Sequence, residues 1–330
     1  MQGTQLRWGV LGTARIADKV VHGMKLAENS VLVAIASRDL NTAQAWAEAR
    51  GVPHAFGRYE EMLASDVIDA VYIPLPNGLH KGWSVKALES GKHVLCEKPL
   101  ANNADQVREI IAASEATGLK AMEATMYRFH PAVARMQQLL AEGVIGEVKV
   151  IRATFGFRLE RPNDVRWSPD LGGGALLDVG SYCVNNARLV AGSEPLGVVA
   201  CQVLSAGGVD IETVGVLEFP EGVLAAIDCS FETGPGAHQG LTISGTKGRM
   251  FIAQPFSREE EPLQIVIDGG GAKHTVEVPG ADHYHMMVEH FADAVLHDHP
   301  LAYTLQNSLG NMRVLDALKE AARSGRRVEL

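Results

Sequence analysis

Cysteine is scarce in this chain: four residues in 330, Cys96, Cys183, Cys201 and Cys229, with no CxxC pair and no framework spacing. That excludes a disulfide-stapled scaffold, and buried free thiols in a reducing compartment are expected. Long apolar runs are missing too. No stretch approaches the ~18 residues of a membrane-spanning helix, so no membrane partner is expected. Positive charge is also short. Thirty Lys and Arg against 39 Asp and Glu leave a net charge of −9, which argues against nucleic acid or an anionic membrane surface as the main partner. No basic and then apolar leader precedes Leu6–Leu11, and a cytoplasmic location is expected. Repeats and low-complexity tracts are absent.

What is present is an alternation. The length exceeds the ~250–300 residues that one core usually serves, so two domains are expected, 1–125 and 126–330. Over the first, short apolar runs (Leu6–Leu11, Val31–Ser37, Ala70–Ile73, His93–Pro99, Lys120–Glu123) alternate with helical patterns that stop at Gly51, Gly91 and Gly118. This is the signature of a doubly wound parallel sheet in an α/β fold. Beyond Pro131 a helix to Glu142 leads into the strand-forming run Glu147–Phe157. After the loop Arg158–Leu171, the triple glycine Gly172-Gly173-Gly174 opens a helix through about Val190. Strand then follows strand without crossover helices: Val198–Val203, Thr213–Phe219, Val223–Phe231, Leu241–Ser244, Gln264–Ile267 and Thr275–Val278. An α+β domain with an open, mainly antiparallel sheet is expected. Helices Tyr284–His297 and Thr304–Ser324 close the chain, and the last is expected to pack back on the first domain.

The first strand turns into its helix through Gly12-Thr13-Ala14-Arg15-Ile16-Ala17. A dinucleotide turn calls for glycines at the tight bend and at the close approach to pyrophosphate, and places a helix N-terminus on the anion. Here Gly12 is kept and alanine replaces the second and third glycines. At the end of strand two stands Ser37-Arg38 rather than the acid that receives an NAD ribose. A hydroxyl with a guanidinium suits a 2′-phosphate, so NADP is expected over NAD. Strand five delivers Glu97, Lys98 and Pro99 to the carboxyl edge of the sheet, where open α/β sheets bind ligands.

Asp178, Tyr182 and Asn186 are spaced by four along one helix face. A phenol titrates near ~10, too high for an efficient base at neutral pH. A lysine ammonium about 4 Å away interacts with phenolate by ~4 kcal/mol at an effective dielectric of about 20. That is about three pK units before desolvation takes its share. Lys98 and Tyr182 together therefore suit a proton-exchanging pair for hydride chemistry, where neither does alone. Signals of another kind are weaker. His283, His285, Glu289 and His290 fit neither HExxH nor HxxEH, and no metal is expected. Gly269-Gly270-Gly271 suits a hairpin turn, and Lys247 in Gly245-Thr246-Lys247-Gly248 lacks Walker spacing.

Taken in order, Gly9–Ala17, Pro76-Asn77-x-x-His80, Cys96-Glu97-Lys98-Pro99, Met126-Tyr127-Arg128-Phe129-His130-Pro131 and Gly172–Tyr182 resemble the glucose-fructose oxidoreductase/inositol dehydrogenase/rhizopine catabolism (Gfo/Idh/MocA) family. The resemblance implies a Rossmann-type first domain and an open-sheet second domain that mediates a homodimer or homotetramer. Tyr182, Arg166-Trp167 and Ser37-Arg38 look like the branch with glucose-fructose oxidoreductase, dimeric dihydrodiol dehydrogenase and NADP-dependent xylose dehydrogenases. Histidine-type members carry aspartate where Asn186 stands, so their Asp–His relay is not expected here. The resemblance implies that Gly12, Thr13, Ala14, Arg15, Ile16, Ser37, Arg38, Pro76, Asn77, His80, Glu97 and Lys98 hold NADP. It implies that Lys98, Tyr182 and Asp178 are catalytic, and that Arg128, Trp167 and Tyr284 meet a small carbohydrate-like substrate. The expected reaction is oxidation of an aldopyranose at C1 to the lactone, or the reverse. Alternatives are a trans-dihydrodiol dehydrogenase, a sugar-dismutating oxidoreductase that retains NADP, and, from another class, a non-catalytic NAD(P)-sensing regulator.

Overall fold

The computed structural model describes residues 5–234, 236–256 and 261–330; the first four residues of the expected first domain lie outside them. The chain divides into two compact units. One comprises Met1–Ala101, Asp105–Phe129 and Asp282–Leu309, and the other Asn102–Ala104, His130–Ala281 and Gly310–Leu330.

The first unit runs β1 (Leu6–Leu11), α1 (Ala17–Leu26), β2 (Ser30–Ala36), α2 (Leu40–Arg50), β3 (His54–Phe56), α3 (Tyr59–Leu63), β4 (Ala70–Ile73), α4 (Asn77–Glu89), β5 (His93–Glu97), α5 (Ala104–Thr117) and β6 (Ala121–Ala124). Its six strands pair in parallel in the order β3-β2-β1-β4-β5-β6, the doubly wound arrangement expected. Trp8, Val10, Ile35, Val71, Tyr72 and Leu95 are fully buried in it. Strands covered on both faces read as unbroken apolar runs, which is why β1 and β4 are visible in the sequence. The three-residue β3 and five-residue α3 were not expected, being too short to show a period.

The second unit holds α6 (Pro131–Ala141), β7 (Val148–Gly156), and a π-helical turn at Leu176–Gly180 that runs into α7 (Ser181–Ala191). Then come β8 (Gly197–Leu204), β9 (Asp210–Glu218), β10 (Leu224–Ser230), β11 (His238–Gly245), β12 (Gly248–Ala253), β13 (Leu263–Gly269) and β14 (Ala272–Val278). The chain ends with α8 (His283–His297), α9 (Leu305–Ser324) and β15 (Val328–Glu329); α8 belongs to the first unit. The nine strands form one sheet, β14-β13-β12-β11-β7-β10-β9-β8-β15. All its pairings are antiparallel except β7 with β10. The α/β plus open-sheet expectation therefore holds. β12 and β15 were not anticipated, and the expected helix begins with a π turn rather than an α turn. Gly270 and Gly271 make the β13–β14 hairpin turn, and Thr246-Lys247 the turn between β11 and β12.

α7 packs on one side of this sheet, against β7 and β10. Val199, Val203, Val214, Leu224 and Phe251 remain exposed. Cys201 alternates with Val199 and Val203 along β8 and is exposed as well, whereas the other three thiols are buried as expected. Among the described residues no helix is long and apolar enough to cross a membrane.

Candidate active site

The turn after β1 starts at Gly12, whose φ of +99° disfavours any L side chain; an added Cβ would also lie 2.9 Å from Leu75 Cδ2. Gly12 N–H donates to Ala36 O at 2.8 Å, which ties the turn to β2. Residues 13–16 then curl into α1. The carbonyls of Ala14, Arg15 and Ile16 accept helix bonds, but among the described residues nothing accepts from the amides of Thr13, Ala14, Arg15 and Ile16. Four unclaimed donors at a helix start fit a dinucleotide phosphate. At the end of β2, Ser37 is buried and Arg38 exposed, while Asp39 caps α2 by accepting from Thr42 N–H at 2.8 Å. One neighbour was missed in the sequence. The Tyr59 hydroxyl lies 3.5 Å from the position a Gly12 Cβ would take, its ring stands edge-on to Trp83, and burial raises its pKa against the opposing Arg38 charge. A lone tyrosine opening a five-residue helix carries no local signal.

Glu97 closes β5 and is buried. The Tyr72 hydroxyl donates to Glu97 Oε1 at 2.6 Å. Burial pushes the Glu97 carboxyl above its usual range, against the opposing pull of Tyr72 and Lys98. Glu123, on the adjacent β6, is buried, is likewise pushed up by burial, and accepts Leu100 N–H at 3.1 Å. Half-buried Lys98 thus lies in the field of two buried carboxylates. His80 has no exposed surface. Its Nδ1 lies 2.8 Å from Pro99 O and its Nε2 2.6 Å from Leu75 O, and burial holds its pKa below the ordinary value although both carbonyls raise it. The structure thus makes His80 a strut between the 74–77 loop, which presents Pro76 and Asn77, and the lysine turn.

Tyr284 opens α8, whose N-terminus Asp282 caps. It is buried, with the Lys19 ammonium 5.3 Å from its ring centroid. The close crossing of α1 and α8 needs Gly23, where a Cβ would meet His285 N at 2.8 Å. Arg128 sits in a 3-10 turn with its guanidinium 5.4 Å from the Tyr303 ring centroid. His290 Nε2 accepts Ala302 N–H, and His285 stands 4.0 Å from Glu289.

In the second unit the triple glycine has a structural cause. A Cβ on Gly173 would fall 2.3 Å from Arg166 O, and one on Gly174 would fall 2.1 Å from Asp210 Oδ1. Asp210 Oδ2 accepts Leu176 N–H at 2.6 Å and so anchors the start of the π turn. Arg166 Nε donates to Asp178 Oδ2 at 2.6 Å and Nη1 to Asp164 Oδ1 at 3.1 Å. The Asp178 charge, followed in effect by the opposing cost of burial, holds the guanidinium above its ordinary pKa. Asp178, expected to face substrate, therefore spends one oxygen on Arg166. Tyr182 follows in the first turn of α7, nearly buried, with Phe155 and Phe256 each 5.4 Å away between centroids. Asn186, one turn on, is buried. Trp167 Nε1 donates to Arg161 O at 2.8 Å and its ring stands edge-on to Phe231 at 5.8 Å.

A parallel sheet with open amides at its first turn, and an ammonium at its carboxyl edge, define a nucleotide-binding oxidoreductase. Residues 6–125 match the oxidoreductase family with NAD-binding Rossmann fold, and residues 133–251 match the GFO/IDH/MocA C-terminal domain. The chain belongs to the Gfo/Idh/MocA family of NAD(P)-binding oxidoreductases. It is 39% identical to a D-xylose 1-dehydrogenase (NADP(+)) of Haloferax volcanii, over 98% of this chain and 100% of that protein. It is 38% identical to the trans-1,2-dihydrobenzene-1,2-diol dehydrogenase of Xenopus laevis, over 82% of each. A 3-ketoreductase of Actinomadura kijaniata, solved with NADP and TDP-benzene, superposes with a TM-score of 0.91 at 30% identity, covering 96% of this chain and 98% of that one.

Proposed function

We propose that this protein is an NADP-dependent dehydrogenase that oxidises an aldopyranose at C1 to the lactone, or catalyses the reverse. Bound NADP would supply the hydride acceptor or donor. The amides of residues 13–16 grip its phosphates, and Ser37 with Arg38 receives a 2′-phosphate. Tyr182 exchanges a proton with the substrate oxygen, and Lys98 favours the phenolate that does so. Phe155 and Phe256 keep water from that phenol. Asp178 acts with Arg166, its partner at 2.6 Å, to orient hydroxyls.

One correspondence supports the proton-exchanging pair above all. The Actinomadura ketoreductase has been solved with one lysine replaced and with one tyrosine replaced, at positions as far apart in that chain as Lys98 and Tyr182 are here. The likeness to a xylose dehydrogenase supports an aldopyranose. The exposed valines and Phe251 of the second sheet support a homodimer or homotetramer, which sedimentation would test. A second reading, a trans-dihydrodiol substrate, is favoured by the phenylalanine pair beside Tyr182, which suits an apolar ring.

The test is nicotinamide absorbance over a panel of aldoses, inositols and dihydrodiols with NADP⁺ and NAD⁺. Turnover of an aldopyranose with NADP⁺ is expected. Tyr182→Phe should abolish it while NADP affinity stays within a few-fold; undiminished turnover in that variant overturns the tyrosine mechanism.

A further inference from the structure

The second unit carries a cavity of about 690 Å³, within the ~300–1,000 Å³ of small-molecule sites, lined by Arg158, Leu159, Glu160, Trp167, Phe231 and Glu232. Two features give it a chemical character. Trp167 and Phe231 meet edge to face at 5.8 Å and both line the cavity, so two aromatic rings together give it an apolar wall. Aromatic faces carry negative charge, and the C–H groups on one face of a pyranose are slightly positive, so such a wall stacks sugar rings. The rim charges are one guanidinium and two carboxylates. Arg158 Nε lies 3.7 Å from Glu160 Oε1, and Arg158 also stands opposite the exposed Glu232 in an antiparallel bridge, so one guanidinium serves two carboxylates and the rim stays net negative. A carboxylate that accepts from hydroxyls suits a neutral polyol and opposes a diphosphate, since like charges brought together cost energy.

The cavity also stands at a telling distance. Phe155 touches Tyr182, and Phe157, two positions further along the same extended segment, packs on Phe231 at 5.3 Å. Two strand residues advance about 7 Å, so one aromatic row runs from the Tyr182 phenol to the cavity wall.

We propose that this cavity is a second sugar subsite, holding an uncharged pyranose ring joined glycosidically to the ring that is oxidised, so that the substrate class is short neutral oligosaccharides. This rests on the aldose-oxidising reading, and the test separates the two. Methyl β-cellobioside, which has no free C1 hydroxyl to oxidise, is titrated into the full-length protein with NADP⁺ and followed calorimetrically. In parallel, kcat/KM is compared for xylose, xylobiose, glucose and cellobiose.

Saturable glycoside binding is expected, weakened at least fivefold by Trp167→Ala and by the surface change Glu232→Gln. Each disaccharide should have a higher kcat/KM than its monosaccharide, and Glu232→Gln should lower disaccharide values more than monosaccharide values. Glycoside binding without turnover of any aldose would support the subsite while ending the aldose reading. Turnover of monosaccharides with no glycoside binding, or with Glu232→Gln affecting the two sugar lengths equally, would overturn the subsite. Tighter binding of TDP-glucose than of the glycoside would overturn its proposed class.

Discussion

Gly174→Ala is expected to be among the most damaging single-methyl additions in the second unit. Its φ of +111° lies where L side chains rarely sit, a strain of ~1–3 kcal/mol. The new Cβ would fall 2.1 Å from Asp210 Oδ1 and force that carboxylate aside. Displacement would break its bond from Leu176 N–H at 2.6 Å and its bond from Thr213 Oγ1 at 3.2 Å. Hydrogen bonds to charged groups contribute ~1.5–3 kcal/mol, so strain and the two lost bonds together reach about 4–9 kcal/mol. With a urea dependence near 2–3 kcal/mol per molar, the midpoint of the transition that reports the second unit should fall by at least ~1.5 M. Gly192→Ala is the control. Gly192 also has a positive φ, +65°, but nothing lies within 4 Å of its missing Cβ. That change should cost only ~1–2 kcal/mol. Turnover should fall with Gly174→Ala as well, because Leu176 leads directly into the turn that carries Asp178 and Tyr182. Equal midpoints for the two variants would refute the close-approach argument.

Arg38→Ala should raise the KM for NADP⁺ ~10–100-fold, the equivalent of ~1.5–3 kcal/mol, and leave the KM for NAD⁺ nearly unchanged in initial-rate assays. Tyr72→Phe removes a 2.6 Å donor from buried Glu97 and should lower stability by ~1–3 kcal/mol in urea melts. The carboxyl of Glu123 is raised by burial, so its protonated form is the one folding favours. Its stabilising contribution is complete below the unfolded value of ~4.3 and is lost as pH rises through the folded value. Glu123→Gln should therefore gain stability relative to wild type as melts move from about pH 4 to about pH 8; a constant difference would refute the shift.

The parallel half was legible because its strands are buried on both faces and its helices end at glycines. β1 and β4 occupy the residues expected, Leu6–Leu11 and Ala70–Ile73. The chemistry-bearing residues were legible as types at element ends. What the sequence could not display was partnership across long separations. In the sequence the triple glycine opens a helix, whereas what requires Gly173 and Gly174 is the close approach of Arg166 O and the carboxylate of Asp210. Asp178 was read along its own helix, while its strongest partner, Arg166, comes from the preceding loop. Tyr59 reaches Gly12 only because β3 and α3, too short to show a period, fold back beside the first turn. Cys201 was assigned to the interior on residue type, and the alternation of β8 turns it outward.

The imidazole of His80 has a mechanical consequence. It is a rigid plate wedged between the carbonyls of Leu75 and Pro99, in a spot sealed from solvent. The neutral ring carries one N–H, so one of the two carbonyls accepts it and the other is held by packing, and neither segment slides without dragging the ring. Whatever displaces the Pro76-Asn77 side is thereby felt at the lysine turn, so the loop after β4 and the turn after β5 shift as one piece.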